Sequence, residues 1–455
     1  MSFARYEHYK DSGVEWLGEV PGHWSNVSLR WVSTRYSGGT PDKLNHDYWT
    51  DGTIPWLNSG AVNQGLISEP STFITQEAYE NSSAKWIPAG ALVMALAGQG
   101  KTKGIVAQLK IPSTCNQSMA AIVPNEEMAP RFLYWWLASN YQNIRNMAGG
   151  DLRDGLNLEL LGSIPCPLPA IEEQATISTF LDRETAKIDA LVAEQQRLIE
   201  LLKEKRQAVI SNAVTKGLNP DVPMRDSGIE WLGEVPAHWR VGAIKYFVLA
   251  KNGSIKTGPF GSHLTSLDMQ SGTIKVYNQR SVIDSDFEAG ENFISKDKFA
   301  ELSSFETFPG DLLITTRGTI GRAAILPLNA ERGILHPCLL RLQPDNAHID
   351  TVFLKTLIQD SDLMKTQLSY LSNATTIEVI YSYTIASVII PVPPLAEQNA
   401  IMEFLAEQIF KFNELTAEAH RAITLLQERR TALISAAVTG KIDVRGAMAG
   451  ERETV

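Results

Sequence analysis

The side chains best suited to chemistry are polar and basic residues that lie between short apolar runs in two stretches of the chain. In the first stretch they are Asn58, Ser59, Asn63, Gln99, Lys101, Lys103, Asn116, Gln117 and Arg153. In the second stretch they are Lys256, His263, Asn278, Gln279, Arg280, Arg317, Arg322 and His336. Arginine can pair with guanine, asparagine and glutamine with adenine, and lysine with phosphate. We predict these residues as candidate DNA contacts, and for each of them a solvated loop position or a local backbone bond is the alternative.

One pattern points to an enzyme instead. Residues 95–102 read ALAGQGKT, which fits a relaxed phosphate-binding loop. Such a loop needs a helix directly after it, because the N–H groups of the helix N-terminus hold the phosphates. The next residues, Lys103–Val106 with Pro112 soon after, predict a strand, and the matching stretch 315–319 reads TTRGT. ATP binding is therefore the weaker interpretation of this segment.

Signatures of methyl transfer and of metal binding are missing as well. The single Pro-Pro pair, Pro393-Pro394, is followed by Leu395 rather than by an aromatic residue, and no strand, Gly-rich loop and helix follow one another as a site for a methyl donor would require. No His or Cys lies at ligand spacing from His23 or His238, so we predict that these two form hydrogen bonds. The sequence predicts no catalytic residue and no metal site.

Composition indicates a folded protein with more than one domain. The chain has 455 residues, 44% of them hydrophobic and 20% charged. It lacks an apolar run of membrane-spanning length and an apolar N-terminal leader, and its three cysteines form no C-x-x-C pair, so we expect a cytoplasmic location. The net charge of −10 taken alone argues against DNA binding, although binding depends on where the basic groups gather.

The sequence contains an internal duplication. Asp11–Trp24 and Asp226–Trp239 agree at 12 of 14 positions (DSGVEWLGEVPGHW and DSGIEWLGEVPAHW) at an offset of 215 (226 − 11). A Pro-rich entry into a second shared block recurs at Pro167 and Pro391, at an offset of 224 (391 − 167). We predict that the repeated Trp, Leu and Val side chains of the first block pack an extended entry segment against each domain. Between the shared blocks, short β-type runs with Gly, Pro and Asn punctuation predict two variable β-rich domains.

Each second block predicts a long helix. The 42 residues from Glu172 to Ala213 contain no Pro or Gly, which corresponds to roughly 60 Å of helix. Apolar residues at heptad spacing predict a coiled-coil seam. The seam residues are Leu181, Ile188, Leu191, Leu198, Leu202, Val209, Leu405, Phe412, Leu415, Leu426 and Leu433. Antiparallel pairing of the two helices is one interpretation, and packing of each helix on its own domain is the other.

These elements predict an α+β fold with two mixed, β-rich recognition domains, an antiparallel coiled coil of two long helices, and an internal pseudo-twofold duplication. The expected boundaries are residues 1–165 and 223–388 for the recognition domains, 166–222 and 389–445 for the helical spacers, and 446–455 for a flexible tail.

The doubled SGxEWLGEVPxHW block, the Pro-rich helix entries, and the segments Gly38–Trp49 and Ile255–Leu264 resemble the DNA-specificity subunit of type I restriction–modification systems. The resemblance implies that each recognition domain reads half of a bipartite site in double-stranded DNA. It implies helices that set the spacer and dock two methyltransferase subunits, with motor-nuclease subunits in the full complex. S-adenosylmethionine, ATP and Mg²⁺ are then expected on the partners and no cofactor on this chain. An assembly scaffold that reads no DNA is the competing interpretation.

Overall fold

The computed structural model describes residues 3–98, 101–147, 155–260, 263–364, 366–367 and 379–446. The chain forms two compact units. Unit 1 contains residues 1–195 and 421–455, and unit 2 contains residues 196–420. Each unit therefore combines one β-rich region with part of both long helices. Among the described residues, no helix combines the length and apolar character needed to cross a membrane.

Unit 1 is built around a five-stranded sheet with strand order β4-β11-β8-β9-β6 and a three-stranded sheet with order β10-β5-β7. Its strands are β1 (Tyr9–Asp11), β2 (Glu19–Pro21), β3 (Ser25–Ser28), β4 (Ser33–Ser37), β5 (Ile54–Leu57), β6 (Leu66–Ile67), β7 (Thr72–Ile74), β8 (Leu92–Ala95), β9 (Val106–Leu109), β10 (Thr114–Cys115), β11 (Met119–Pro124) and β12 (Pro165–Leu168). Its helices are α1 (Leu29–Val32), α2 (Gln76–Glu80), α3 (Pro130–Ser139), α4 (Tyr141–Asn146), α5 (Leu158–Ser163) and the first part of α6 (Ile171–Lys216).

Unit 2 contains two four-stranded sheets, with orders β16-β23-β20-β21 and β18-β17-β22-β19. Its strands are β13 (Met224–Asp226), β14 (Glu234–Pro236), β15 (Arg240–Ala243), β16 (Ile255–Thr257), β17 (Ile274–Tyr277), β18 (Phe293–Ile294), β19 (Glu306–Thr307), β20 (Leu312–Thr315), β21 (Ala323–Ile325), β22 (Gly333–Leu335), β23 (Leu339–Leu342) and β24 (Ile389–Val392). Its helices are α7 (Gln279–Ile283), α8 (Lys296–Leu302), α9 (Thr351–Gln359), α10 (Ser382–Ser387) and the first part of α11 (Leu395–Val438).

The central strand of each unit is buried on both faces. In β8, Leu92 and Met94 join the large core that contains α3, while Val93 and Ala95 join a second cluster on the opposite face. Strand β20 repeats this arrangement, because Leu312 and Ile314 face the large core and Leu313 faces a smaller cluster. Successive side chains of a strand point to opposite faces, so a run of apolar residues is what a doubly covered strand requires.

The long helices pair antiparallel in unit 1. Tyr6 donates a hydrogen bond to Glu173 near the start of α6, and its ring lies under Arg445, beyond the end of α11. Further along α6, Asp189 forms an ion pair with Arg430 at 2.8 Å. Position 173 thus lies near the end of α11, whereas position 189 lies about two turns before that end, which is the antiparallel arrangement. Ile188 and Leu433 share one core cluster.

Unit 2 contains the complementary halves of the same helices. The end of α6 packs in one core with the start of α11, through Ile210 and Val214 of α6 and Ile401 and Leu405 of α11. A Cβ on Gly217, just after α6, would lie 3.1 Å from Glu397 in the first turn of α11. The prediction of an antiparallel helix pair is therefore confirmed within each unit.

The predicted seam is wrong at three positions. Leu191, Leu198 and Leu415 are 45%, 42% and 48% exposed. The buried or half-buried neighbours are Val192, Ile199 and Thr416, one residue further along each helix. Both the third and the fourth residue after a seam position can continue an apolar stripe, and the sequence offers an apolar side chain at both places in α6. Leu181, Ile188, Leu202, Leu405, Phe412 and Leu433 are buried as predicted, and Val209 and Leu426 are half-buried.

A repeated polar anchor joins the start of each long helix to its unit. The Gln174 side chain is fully buried, accepts the Ala129 N–H before α3, and donates to the carbonyl oxygens of Glu127 and Pro169. Gln398 is also fully buried, accepts the Asp350 N–H before α9, and donates to His348 and Pro393. Such fully satisfied amides specify one arrangement, because losing a partner leaves buried groups unpaired.

The repeated Trp-containing block packs beside this anchor as the sequence predicts. Leu17, Val20 and Trp24 are buried in unit 1, and Leu232, Val235 and Trp239 are buried in unit 2. Trp16 is 44% exposed but stacks on Trp136 with ring centroids 5.7 Å apart. The block therefore closes the core of each unit at the helix entry.

We expect Ile188→Ala to destabilise the protein far more than Leu191→Ala, although the two residues are one turn apart on α6. Ile188 is 6% exposed in the core of unit 1, so its truncation should cost about 2–5 kcal/mol of unfolding free energy. Leu191 is 45% exposed, and its truncation should cost about 1 kcal/mol or less. Chemical denaturation of the two variants measures both values, and equal destabilisation would contradict the observed seam.

Candidate nucleic-acid interface

Asparagine residues occupy equivalent positions in the two units, directly after β5 and β17. The Asn58 side-chain oxygen accepts the Gly60 N–H at 2.9 Å and caps a short 3-10 helix. The Asn278 oxygen accepts the Arg280 and Ser281 N–H groups and caps α7. A side-chain oxygen in this role satisfies an N–H group that the helix itself cannot. Each cap thus fixes the loop on which the neighbouring polar side chains lie.

A second loop, after β10 in unit 1 and after β22 in unit 2, lies against the first. The Asn116 N–H donates to Leu57 O at 3.0 Å, and the His336 N–H donates to Tyr277 O at 2.9 Å. The two predicted candidates in each unit, Asn58 with Asn116 and Asn278 with His336, are therefore brought together. Each pair lies at the end of two parallel neighbouring strands.

A third segment approaches these loops so closely that only glycine fits. A Cβ on Gly38 would collide with the Cys115 carbonyl, and a Cβ on Gly258 would collide with the His336 carbonyl. Neither glycine was singled out from the sequence, although the offset of 220 between the two copies aligns them (258 − 38). Two residues further on the copies differ: the Thr40 hydroxyl donates to Gln117 in unit 1, and the equivalent residue of unit 2 is Phe260.

The hairpin loops that follow β8 and β20 complete the same cluster. The Leu96 N–H donates to Ser118 O at 2.8 Å, and the Thr316 N–H donates to Cys338 O at 2.9 Å. In unit 2 the Gln279 amide donates to Arg317 O at 2.8 Å, and the Arg317 guanidinium lies 5.7 Å from the centre of the Phe260 ring. Four loops therefore converge in each unit on one frame that carries different side chains.

Electrostatics differ among the predicted basic residues of unit 2. The Arg280 guanidinium is exposed but pairs with Asp284 at 3.1 Å. Lys256 is half-buried, its ammonium lies 4.4 Å from the centre of the Phe305 ring, and burial followed by the nearby Arg341 charge lowers its pKa. Arg322 and His263 are exposed. A cation that is already paired or packed gains less binding free energy from a phosphate contact than a free cation does.

His336 is held in its neutral form at the centre of the unit 2 cluster. Burial lowers the pKa of its imidazole, and the neighbouring Arg317 charge lowers the pKa further. Its Nδ1 accepts the Cys338 N–H at 3.2 Å. A neutral ring with Nδ1 as acceptor carries its proton on Nε2, which leaves a donor for a ligand.

One predicted DNA contact in unit 1 is wrong. Lys103 is 4% exposed, because the loop after β8 turns its side chain inward, so its ammonium is not offered to a DNA backbone. Lys101 and Gln117 are exposed, and Asn63 is exposed with its amide donating to Gly60 O at 3.0 Å. Gln99 and Arg153 lie outside the described residues. For the remaining candidates, DNA contact stays a prediction.

The segment that fits a phosphate-binding loop joins two strands. Lys101 and Thr102 are followed by strand β9, which begins at Val106 and pairs with β8. The amide groups of a helix N-terminus are therefore missing directly after the motif, as the sequence predicts. Within the part of the chain that the structure describes, no three His, Cys, Asp or Glu side chains cluster as a metal site. His23 and His238 bond Glu173 and Glu397 at 2.9 and 2.8 Å, which confirms their predicted role.

Comparison with known proteins gives concordant matches. The family model described as the type I restriction modification DNA specificity domain matches residues 21–201 and 261–425. The specificity subunit of the Escherichia coli EcoR124I/EcoR124II enzyme is 31% identical over 199 residues, 42% of this chain and 46% of that protein. The Salmonella potsdam StySPI specificity subunit is 22% identical over 441 residues, 93% of this chain and 90% of that protein.

Solved structures share the fold. A chain from a type I restriction–modification system superposes with a TM-score of 0.65 at 18% identity, covering 92% of this chain and 98% of that chain. The HsdS subunit of Thermoanaerobacter tengcongensis gives a TM-score of 0.57 at 17% identity, covering 93% and 98%. At these identities the likeness concerns the backbone arrangement alone.

We expect His336 to make the protein lose stability at mildly acidic pH. The pKa of His336 is lower in the folded chain than its ordinary value of 6.5, so the unfolded chain binds more protons. The stability that the neutral ring provides is complete above about pH 6.5 and is lost as the pH falls through that value towards the lower folded pKa. Thermal unfolding between about pH 7.5 and 5 should show a steeper loss for the wild type than for His336→Asn. Parallel curves would contradict the lowered pKa.

Proposed function

The chain belongs to the type I restriction–modification DNA specificity family, and from that premise we propose that each of its two units reads one half of a bipartite DNA site. The observation that carries this proposal is the repeated loop cluster. Asn58 and Asn278 cap the same turn, and Gly38 and Gly258 press against the same neighbouring loop. Two copies of one frame suit two segments of the same double helix.

The two loop clusters carry different side chains at the positions that would contact bases. At an offset of 220, Asn116 corresponds to His336 and Ala97 corresponds to Arg317. Amide side chains pair with adenine, and guanidinium groups pair with guanine. A constant frame with changed loop residues lets two units recognise different bases without altering the core that supports them. The two half-sites of such a chain need not share a sequence.

The paired helices supply the spacing between the readers. Helix α6 has 46 residues and α11 has 44, which corresponds to roughly 69 and 66 Å at about 1.5 Å per residue. Both helices run without interruption from one compact unit into the other. A continuous helix resists stretching, so the number of unread base pairs between the half-sites is set by helix length.

The chemistry belongs to partner subunits in this proposal. Two methyltransferase subunits dock on the repeated helical regions and carry S-adenosylmethionine, and motor-nuclease subunits in the full complex use ATP and Mg²⁺. This chain supplies recognition and no catalytic group. The exposed Leu191, Leu198 and Leu415 side chains on the long helices support docking there, because large apolar side chains are favoured in protein interfaces.

The net charge of −10 is compatible with DNA binding because the basic groups are placed unevenly. Arg317 and Arg322 flank one hairpin loop of unit 2, and Lys101 lies in the corresponding loop of unit 1. Binding to phosphate depends on the charge near the contact, since salt screens charges beyond about 10 Å.

Exchanging one reader should change one half of the methylated sequence. We expect replacement of residues 33–157, which run from β4 to the residue before α5, by the equivalent segment of another family member to alter one half-site and leave the other half and the spacer unchanged. The exchange leaves the anchor residues Glu173 and Gln174 in place. Mapping methylated adenines in the genome of a strain that carries the chimera measures the outcome.

The matched control is the reciprocal exchange of residues 248–380 in unit 2, which should alter the opposite half-site. A strain that lacks the gene should lose the whole bipartite motif. Retention of the motif without the gene would favour an assembly scaffold that reads no DNA, and a change of both halves in one chimera would show that the units do not read independently.

A further inference from the structure

Arg317 is the first exposed residue after the buried end of β20. Thr315 and Thr316 are fully buried, and Arg317 follows them into solvent. Gly318 then adopts a φ of +64°, a conformation that turns the chain back and that other residues rarely adopt. The backbone of Arg317 also forms an isolated bridge to Val379, which pins it from a further segment. The backbone from which this side chain projects is therefore held by the fold rather than by a free loop.

Its guanidinium is oriented by its neighbours. The guanidinium carbon lies over the Phe260 ring, 5.7 Å from the ring centre, and the Gln279 amide donates to the backbone carbonyl oxygen of Arg317. An arginine in cation–π contact with a ring loses less conformational freedom on binding than a free one, because part of the ordering is already done. Phe260 is 43% exposed, so the stack lies at the surface.

This guanidinium has no acidic partner among the described residues, in contrast to other arginines of unit 2. Arg280 pairs with Asp284 at 3.1 Å, and Arg332 pairs with Glu306 at 2.7 Å. Arg341 is buried beside Asp311. Burial and the Arg317 charge lower the pKa of the neighbouring His336, and its neutral ring adds no charge beside the guanidinium. Among the described residues, therefore, no carboxylate occupies the N–H groups of Arg317.

We propose that Arg317 is the specificity-determining residue of unit 2 and that it reads a guanine in the half-site of this unit. This inference rests on the proposed function. Two parallel N–H groups of a guanidinium match the O6 and N7 acceptors that guanine alone presents in the major groove. The stack on Phe260 presents the guanidinium from the centre of the four converging loops, and a base edge is the planar, two-acceptor target that suits this presentation.

Unit 1 lacks the same contact. The equivalent residue is Ala97, and the position of Phe260 is taken by Thr40, whose hydroxyl donates to Gln117. A guanine reader of this type is therefore confined to unit 2. The two half-sites should differ at the base pair that Arg317 contacts.

The test is a map of methylated adenines in strains that carry this chain as their sole specificity subunit. The wild type should give a bipartite motif with a guanine in the half-site that the unit 2 exchange alters. Arg317→Ala should reduce the preference for that guanine by about 5- to 150-fold and leave the other half-site unchanged. Arg317→Gln, which keeps a polar side chain of similar reach, should shift the preference towards adenine. Lys296→Ala, an exposed cation in α8 of the same unit, is the matched control and should leave the motif unchanged.

Three results would overturn the inference. If Arg317→Ala lowers methylation evenly at an unaltered motif, Arg317 contacts phosphate. If the half-site of unit 2 contains no guanine, the assigned base is wrong. If both Arg317 variants abolish methylation and unfold at lower temperature than the Lys296→Ala control, Arg317 is structural. A wild-type map without any bipartite motif would instead remove the proposed function itself, which separates the two failures.

Discussion

The arrangement of this protein depends on the sharing of each long helix between two cores. In unit 1 the first part of α6 packs with the last part of α11, and Asp189 pairs with Arg430. In unit 2 the last part of α6 packs with the first part of α11. A helix of this length is stabilised mainly by tertiary packing of its apolar face. Each core therefore needs segments of both long helices, and the core of unit 1 also joins the two ends of the chain.

The first turn of each long helix carries polar side chains that form hydrogen bonds to the rest of its unit. Gln174 and Gln398 bond the backbone just before α3 and α9, and Glu173 and Glu397 bond the histidines of the repeated block. These bonds are equivalent in the two copies, whereas the loops above them carry different side chains. Duplication thus preserves the frame, where a change would leave buried groups unpaired, and permits variation where side chains face solvent.

Much of the fold could be predicted because it follows from periodicity and repetition. The repeat and the long Pro- and Gly-free runs predict the helices, and antiparallel pairing is one of the two interpretations that they allow. The predicted seam is wrong at Leu191 and Leu198. At each of these places two adjacent residues are apolar, so the sequence allows two apolar stripes and only packing decides which one is buried. The positions of the loop side chains were harder to predict. Burial of Lys103 and the contact of Arg317 with Phe260 depend on segments that are distant in sequence, and residue spacing does not reveal such contacts.

The proposed spacing between the two DNA-reading units is tested most directly by DNA whose spacer is altered. Inserting one base pair moves the half-sites apart by about 3.4 Å and turns one against the other by about 35°. For the purified complex, we expect the insertion to weaken binding by about 10-fold or more, since both units must then engage a mismatched geometry. Substituting spacer bases without changing its length should leave the affinity unchanged. Equal affinity for the inserted and the original spacer would contradict a separation held by the paired helices.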